Sequence, residues 1–428
     1  MPETPTIAAP DNAPELPDAI REAGGEPALI SFPAAPLEWG VALSREWISD
    51  AAHLELLNSG ADAVLLPDAP PEELAGYLAA ALRAGVPAVL DVDPSRSLSS
   101  FSASLATLGL APMSGESTPS EVAAELGRAG RPTARRLVSS FSLANSLRAG
   151  LSLGGGPEVI LHLAALGREA GVAGCARMLR VLVPETPVIA ESDSRWFAER
   201  GLPGLLARIS EDLHHAPTVD GRLKQLLPEP DEETGEELTG SRGYVGSRLV
   251  LVEGRASATE APCRQMPSVE EIHGECRVFW SEKEAVSAVE NEALEEGQIL
   301  VVGGCGQRGT PGLKRLDALA EALRDSGPNG LTVFTDGLAP EWAGGVWASP
   351  VFPEAAAGGV LARLQDGDRL RLDLAEQRIR VNVSASEMED RAPGARFGRR
   401  GAQLGYAARY AYDHMKPLEG GGFDPESR

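Results

Sequence analysis

The stretch from residue 63 to residue 92 constrains this chain more than any other. An apolar run, Ala63–Leu66, is followed by Asp68, Pro70 and Pro71, and then by Leu74, Leu78, Ala81 and Leu82 at helical spacing. After Gly85 comes a second apolar run, Pro87–Val92. Asp68 is placed to cap the helix, the prolines suit an opening turn that needs no amide hydrogen, and Gly85 suits a left-handed helix end. A helix between two strands returns the chain to the starting end of the sheet, so the strands pair in parallel. The spacing therefore predicts a βαβ unit and a parallel sheet with helices on its faces. Ala28–Phe32 reads as a further strand and Ser44–Asn58 as a further helix. Helices are expected again at 136–150 and 157–170, and a short strand at Pro187–Ala190. Residues 94–135, rich in Ser, Gly and Ala, show no clear period.

The second half has another rhythm. Strands at Ile299–Val302 and Leu331–Thr335 flank a helix expected over Leu313–Asp325. Arg369–Leu374 and Arg378–Val383 alternate strictly, with Leu370, Leu372 and Leu374 set against Ile379, Val381 and Val383. That period of two predicts an antiparallel hairpin with one buried face, in a domain that is β-rich and barrel-like. A chain of 428 residues exceeds what one core usually organises, which favours two domains. The expected division is a flexible tail at 1–17, rich in Pro, Ala and acids, and an α/β domain at 18–228. An acidic linker at 229–246 then leads to the β-rich domain at 247–428.

Composition excludes some classes of function. A net charge of −23 argues against nucleic acid, whose phosphates demand a basic surface. The apolar runs are too short for a membrane span and no basic, apolar leader opens the chain, so a cytoplasmic protein is expected. Cys175, Cys263, Cys276 and Cys305 are far apart, form no C-x-x-C pair, and fit a reducing compartment without disulfides.

Several segments resemble a known family in order and spacing. RVFWSEKEA at 277–285 precedes ILVVGGCGQRGTPGL at 299–313 and VFTDG at 333–337. PEAAAGG at 353–359, DGD at 366–368 and RGAQLGYAARYAYDHMKPLEGGGFDPE at 400–426 follow. In the first half, IREAGGEPALISF at 20–32, SREWISDA at 44–51, GVPAVL at 85–90 and GGGPEVILHLAALGREAGV at 154–172 keep the same order. The series resembles the dihydroxy-acid dehydratase and phosphogluconate dehydratase family over nearly the whole chain except 94–135. The resemblance implies an α/β fold: an N-terminal α/β/α sandwich with a parallel sheet, and a C-terminal β-barrel of the swivelling type.

In that family the reaction uses a [2Fe–2S] cluster held by thiolates, a carboxylate-bound cation, and a serine base. Here the slot of the first cluster cysteine and its aspartate holds Pro36 and Leu37. The second such slot runs Asp68, Ala69, Pro70, Pro71, Glu72, without cysteine or lysine. The third cysteine would fall in the shortened 94–135 segment. The R-F-S-G turn reads Leu338, Ala339, Pro340, Glu341, the acid expected after the glycine loop is Arg315, and G-G-S-T-N becomes Gly154-Gly155-Gly156-Pro157-Glu158. The resemblance therefore implies a divergent member without the cluster, and we assign no catalytic residue, metal ligand or cofactor.

Some readings of single residues remain. The loop GGCGQRGTPG at 303–312 is a candidate anion cradle, through Gly306, Arg308, Gly309 and Gly312. Asp336 in the TDG turn and Glu419 in the family's E-G slot complete the candidate ligand-binding residues. Against these stand plainer expectations: a tight turn for the loop, a turn-former for Asp336, a buried inert thiol for Cys305, and a core histidine for His162. His273 and Cys276 lack two further ligands nearby and are not taken as a zinc pair. His214 and His215 are expected at a solvated helix end. Three functions compete: a non-catalytic homodimer or heteromer with a related dehydratase, a binder of a small carboxylate, and a cluster-independent lyase acting on a hydroxy or sugar acid. If ligand binding was abandoned, Pro36, Trp39, Pro70 and Pro340 are expected to fill the old cavity.

Overall fold

Four strands form one parallel sheet in the order β2-β1-β3-β4: β1 Thr6–Pro10, β2 Glu26–Ile30, β3 Ala63–Pro67 and β4 Ala88–Asp91. The structure is a computed structural model that describes residues 4–230, 238–240, 245–254, 257–265, 269–327, 331–391 and 405–424. The expected βαβ unit is β3, α3 (Pro71–Ala84) and β4, with Leu74, Leu78, Ala81 and Leu82 fully buried and Gly85 at φ 73° closing the helix. Asp68 does not cap that helix. Pro70 holds the cap position, and the Asp68 carboxylate accepts a hydrogen bond from the Ser102 hydroxyl at 2.6 Å.

The expected tail at 1–17 is instead part of the core. β1 lies inside the sheet between β2 and β3, with Ile7, Ala8 and Ala9 fully buried, and α1 (Leu16–Glu22) follows it. Ile7, Ala8 and Ala9 between prolines are too few to reveal a period, yet a continuous apolar run suits a strand covered on both faces. Helices cover both faces. α1 packs with the helix Pro119–Ala129, which crosses β1, β3 and β4, while α2 (Val41–Ser59) packs with α3. Pro187–Ala190 forms no strand of the sheet. It makes a single bridge to Arg248, and the amides of Ile189 and Ala190 donate to the Ser152 carbonyl.

After a two-residue ladder, β5 (Pro217–Thr218) with β6 (Gly221–Arg222), the chain builds a closed eight-stranded barrel. Its strands are β7 Arg248–Gly254, β8 Ser257–Gln265, β9 Glu271–Phe279, β10 Ile299–Val302, β11 Thr332–Thr335, β12 Val346–Ala348, β13 Arg369–Asp373 and β14 Arg378–Val381. The expected hairpin is β13–β14. Leu370, Leu372 and Ile379 point into the barrel, Arg369 and Arg371 point outward, and closure leaves no open edge. The helix expected over Leu313–Asp325 begins only at Asp317, because Leu313 (φ 74°) turns the chain to run along the sandwich. Of the expected linker, 231–237 and 241–244 lie outside the described residues, while Leu238 is buried and its carbonyl accepts the Glu191 amide.

The two bodies are stitched by backbone. Gly40, Val41 and Ala42 donate to the carbonyls of Pro311, Leu313 and Gly312 at 2.7, 3.1 and 2.8 Å. Gly40 is required there, since a Cβ would collide with the Leu313 carbonyl. Arg264 of β8 donates to the carbonyls of Gly154 and Gly155 at 3.0 and 2.9 Å. The C-terminal segment returns to the sandwich, burying Tyr410 against Val41, Leu43, Leu161 and Leu313.

Candidate functional site

The barrel meets the carboxyl end of the sheet at a cleft of about 460 Å³. The sandwich contributes Asp68, Pro70 and Pro71 after β3, Ser99 at the start of the helix Ser100–Leu105, and Glu158 from the first turn of the helix Pro157–Glu169. The barrel side contributes Arg315, Asp317, Pro340, Glu341 and Trp342. Pro70 and Pro340 line this space rather than filling it. Pro36 and Trp39 line a separate cavity of about 400 Å³.

Arg315 organises the charge of the cleft. Its guanidinium donates to Glu158 at 3.1 and 3.3 Å and to Asp317 at 3.0 Å, and it stands 3.5 Å from Glu72. Burial works against the cation, but Glu158, Glu72 and Asp317 hold its pKa above the ordinary value. Burial pushes the Glu158 carboxyl up, and Arg315 opposes that shift. Behind Glu158, His162 Nε2 lies 3.5 Å from its carboxylate. His162 Nδ1 faces the Arg45 guanidinium at 3.3 Å, so Nδ1 accepts and the proton sits on Nε2. Burial, aided by Arg45, lowers the His162 pKa well below its usual value, and the ring is neutral. Arg45 also binds Glu46 and donates to the Gly420 carbonyl at 2.6 Å. Polar contacts thus run from the C-terminal segment through Arg45 to His162, whose Nε2 stands near Glu158 without a hydrogen bond to it. The expected core histidine is one of their links.

The amides of the glycine-rich loop hold a carboxyl group that belongs to the chain itself. Arg308 N–H donates to both oxygens of Glu354, at 2.9 and 2.8 Å, and Gly309 N–H donates at 3.2 Å. Gly306 has no room for a Cβ against that carboxylate, and Gly312 (φ 99°) is pressed against Leu43. Asp336 is buried and accepts from the amides of Gly304, Cys305 and Ala355 at 3.1, 2.9 and 2.8 Å, clasping three turns together. Burial, with Asp336 beside it, pushes the Glu354 carboxyl up to about 8. The Arg308 side chain is exposed.

The remaining candidates do not converge on the cleft. Glu419 sits in the turn Pro417–Glu419, 3.8 Å from Lys416. His273 and Cys276 lie three apart on strand β9, where alternation sends the histidine outward and the thiol inward. No cluster of His, Cys, Asp and Glu suited to a metal occurs among the described residues. All four cysteines are buried, and burial raises the Cys305 thiol. His214 and His215 are exposed just after the turn Ser210–Asp212.

Sequence reasoning missed the serines. Ser99 caps the helix Ser100–Leu105, Ser100 hydrogen-bonds the Glu341 carboxylate, and Ser102 holds Asp68. The run SRSLSSFSAS at 95–104 was the available signal, since clustered serines favour helix caps and local hydrogen bonds. Nothing in the sequence pairs Ser100 with Glu341, which is 241 positions away.

No helix among the described residues is long and apolar enough to cross a membrane. Residues 255–421 match the family model "Dihydroxy-acid/6-phosphogluconate dehydratase C-terminal". The chain is 29 % identical over 290 residues to a dihydroxy-acid dehydratase of Methanospirillum hungatei, covering 65 % of this chain and 53 % of that protein. A protein of that name from Geobacter sp. (strain M21) is 29 % identical over 299 residues, with the same coverage. One from Archaeoglobus fulgidus is 26 % identical over 288 residues, covering 64 % and 52 %. The chain spans about half the length of the curated relatives it matches. With a parallel-sheet sandwich joined to a closed barrel, the chain is similar to the dihydroxy-acid/6-phosphogluconate dehydratase family, and its residues 255–421 match the C-terminal domain of that family.

Proposed function

We propose that this chain is a non-catalytic member of its family that keeps a ligand-binding role. The observation that carries the reading is Arg315, a fixed cation standing among Glu72, Glu158 and Asp317 in the cleft. Carboxylates already neutralised by an internal guanidinium are poor ligands for a divalent cation, which needs their charge and lone pairs for itself. An iron–sulfur cluster needs several thiolates facing one space. No cysteine lines either cavity, and burial pushes the Cys263 and Cys276 thiols up to about 12, which keeps them protonated. The residues present fit neither group.

The lining also disfavours the substrates of such a reaction. Asp68, Glu158, Asp317 and Glu341 face one guanidinium, so a hydroxy-acid carboxylate meets net repulsion. The same charge counts against the small carboxylate expected from the sequence. Binding of some other ligand is favoured because two cavities remain open where prolines were expected to close them. The alternative, a cluster-independent lyase, draws on the Ser100–Glu341 pair, a carboxylate and a hydroxyl in contact at the cleft. We place the protein in the cytoplasm, as a homodimer or paired with a related dehydratase. Analytical ultracentrifugation of the chain, alone and mixed with such a dehydratase, tests that placement. The core of the proposal is tested by anaerobic reconstitution: iron and sulfide should stay far below stoichiometric, without a charge-transfer absorption band. A stoichiometric cluster overturns it.

A further inference from the structure

The second cavity, of about 400 Å³, opens beyond the carboxyl ends of β1 and β2 and beside the first turn of α3. Open parallel sheets take ligands at this edge, where connections from neighbouring strands leave in opposite directions; here the neighbours are β1 and β3. Two chemistries line it. Asp11, Glu72 and Glu73 bring three carboxylates, and no basic side chain is among the described residues of the wall. Phe32, Trp39 and Tyr77 bring three aromatic rings.

The rings are held in place before any ligand arrives. Phe32 and Tyr77 stand 6.1 Å apart at 52°. Trp39 stacks on Tyr406 at 5.8 Å and meets Trp47 edge-on at 6.4 Å, and the Trp47 indole is itself tied to the Pro33 carbonyl at 2.8 Å. Tyr77 is only 6 % exposed, lines the cavity, and its hydroxyl has no hydrogen-bond partner among the described residues. The hydroxyl is open to the cavity, where a ligand oxygen can accept from it. Glu72 is shared with Arg315 of the cleft, but the other two carboxylates are not consumed in that way. Glu73 has one long contact, from Asn12 Nδ2 at 3.4 Å, and Asp11 makes no ion pair among the described residues. Burial, and Glu72 beside it, push the Glu73 carboxyl up, a crowding that a cation relieves.

We propose that this cavity binds a small organic ammonium ion that also carries an oxygen acceptor, as an amino alcohol does. The ammonium lies against the aromatic faces and the three carboxylates, and the oxygen accepts from Tyr77. An anionic ligand would face Asp11 and Glu73, which have no cationic partner among the described residues of the wall. The inference rests on the binding role proposed above and names its ligand class.

Choline is the probe, titrated by calorimetry and by the fluorescence of Trp39. Saturable one-site binding is expected, with tetramethylammonium, which lacks the oxygen, binding more weakly. Glu73→Gln and Tyr77→Phe should each weaken choline by about tenfold, or ~1.4 kcal/mol. Glu158→Gln, in the other cleft, should leave the affinity unchanged. If Tyr77→Phe does not fold, Asp11→Asn at the exposed rim serves the same purpose. No saturation by choline in the millimolar range, equal affinity in the Glu73 and Tyr77 variants, or tighter binding of glycerate would each overturn the proposal. Failure with choline while another compound stabilises the protein removes this inference alone. Dehydratase turnover removes the non-catalytic reading and leaves choline binding to stand by itself.

Discussion

Arg315 and Glu158 form the most consequential pair in the molecule, because each is largely buried and each neutralises the other. The Arg315 side chain is 26 % exposed and that of Glu158 10 %. Arg315→Ala leaves Glu158 buried beside Asp317 without its cation, and should cost ~3 kcal/mol, measured as a lower urea midpoint. Adding Glu158→Gln should return most of that loss, since the stranded charge is gone. Equal stability of Arg315→Ala and the parent protein would remove the electrostatic account of the cleft. Glu354 makes a second test, through pH. Its carboxyl is raised in the folded chain from an ordinary 4.5 to about 8. The folded state therefore holds a proton that the unfolded state has released, and stability falls as pH rises between those values. Thermal melts at pH 5 and pH 8 should show that fall in the parent protein and a smaller one in Glu354→Gln, which keeps an oxygen for the Arg308 and Gly309 amides.

Among the elements, β1 separates what the sequence shows from what it hides. The βαβ unit was legible because α3 buries Leu74, Leu78, Ala81 and Leu82 on one stripe and ends on a glycine with positive φ. The β13–β14 hairpin was legible because one of its faces is wet, so its leucines alternate with arginines. β1 is hidden in the sequence because Thr6–Pro10 is covered on both faces and offers only three consecutive apolar residues between prolines, without alternation. Amide exchange decides between the two readings. The β1 amides should be protected as strongly as those of β3, whereas a tail would exchange within the dead time. Ala8→Asp should abolish cooperative folding of the sandwich, because Ala8 is fully buried and no cation stands ready for the new charge. The cleft was half legible. Pro340, Arg315 and Glu72 could be named from collinear motifs, but a hydrogen bond between Ser100 and Glu341 depends on how two domains dock, which no local pattern encodes. The glycine loop shows the opposite case. Its amides are legible as candidate donors, and only the fold reveals that the Glu354 carboxyl occupies them.

Across the whole molecule, the two bodies behave as one unit. Three backbone hydrogen bonds at Gly40–Ala42, the Arg264 contacts and the returning Tyr406–Tyr412 helix all cross the junction. Limited proteolysis within 229–246 should therefore give two fragments on a denaturing gel that still elute as a single species at native size. Fragments that separate without denaturant would mean that the junction is weaker than its contacts imply. The same junction frames the central claim, that the family's cleft persists without its reaction. Proton abstraction beside a carboxylate needs a base and a stabiliser for the enediolate, and losing one such stabiliser typically costs about a hundredfold to a thousandfold in rate. Here Pro340 stands where a hydroxyl base is expected, and Arg315 is already engaged by three carboxylates. The direct measurement is 2-keto acid formation from a panel of 2,3-dihydroxy acids and sugar acids, using protein purified anaerobically and assayed with magnesium. The account predicts no product above the buffer background. Turnover proportional to protein concentration, and abolished by Glu341→Gln, would contradict it.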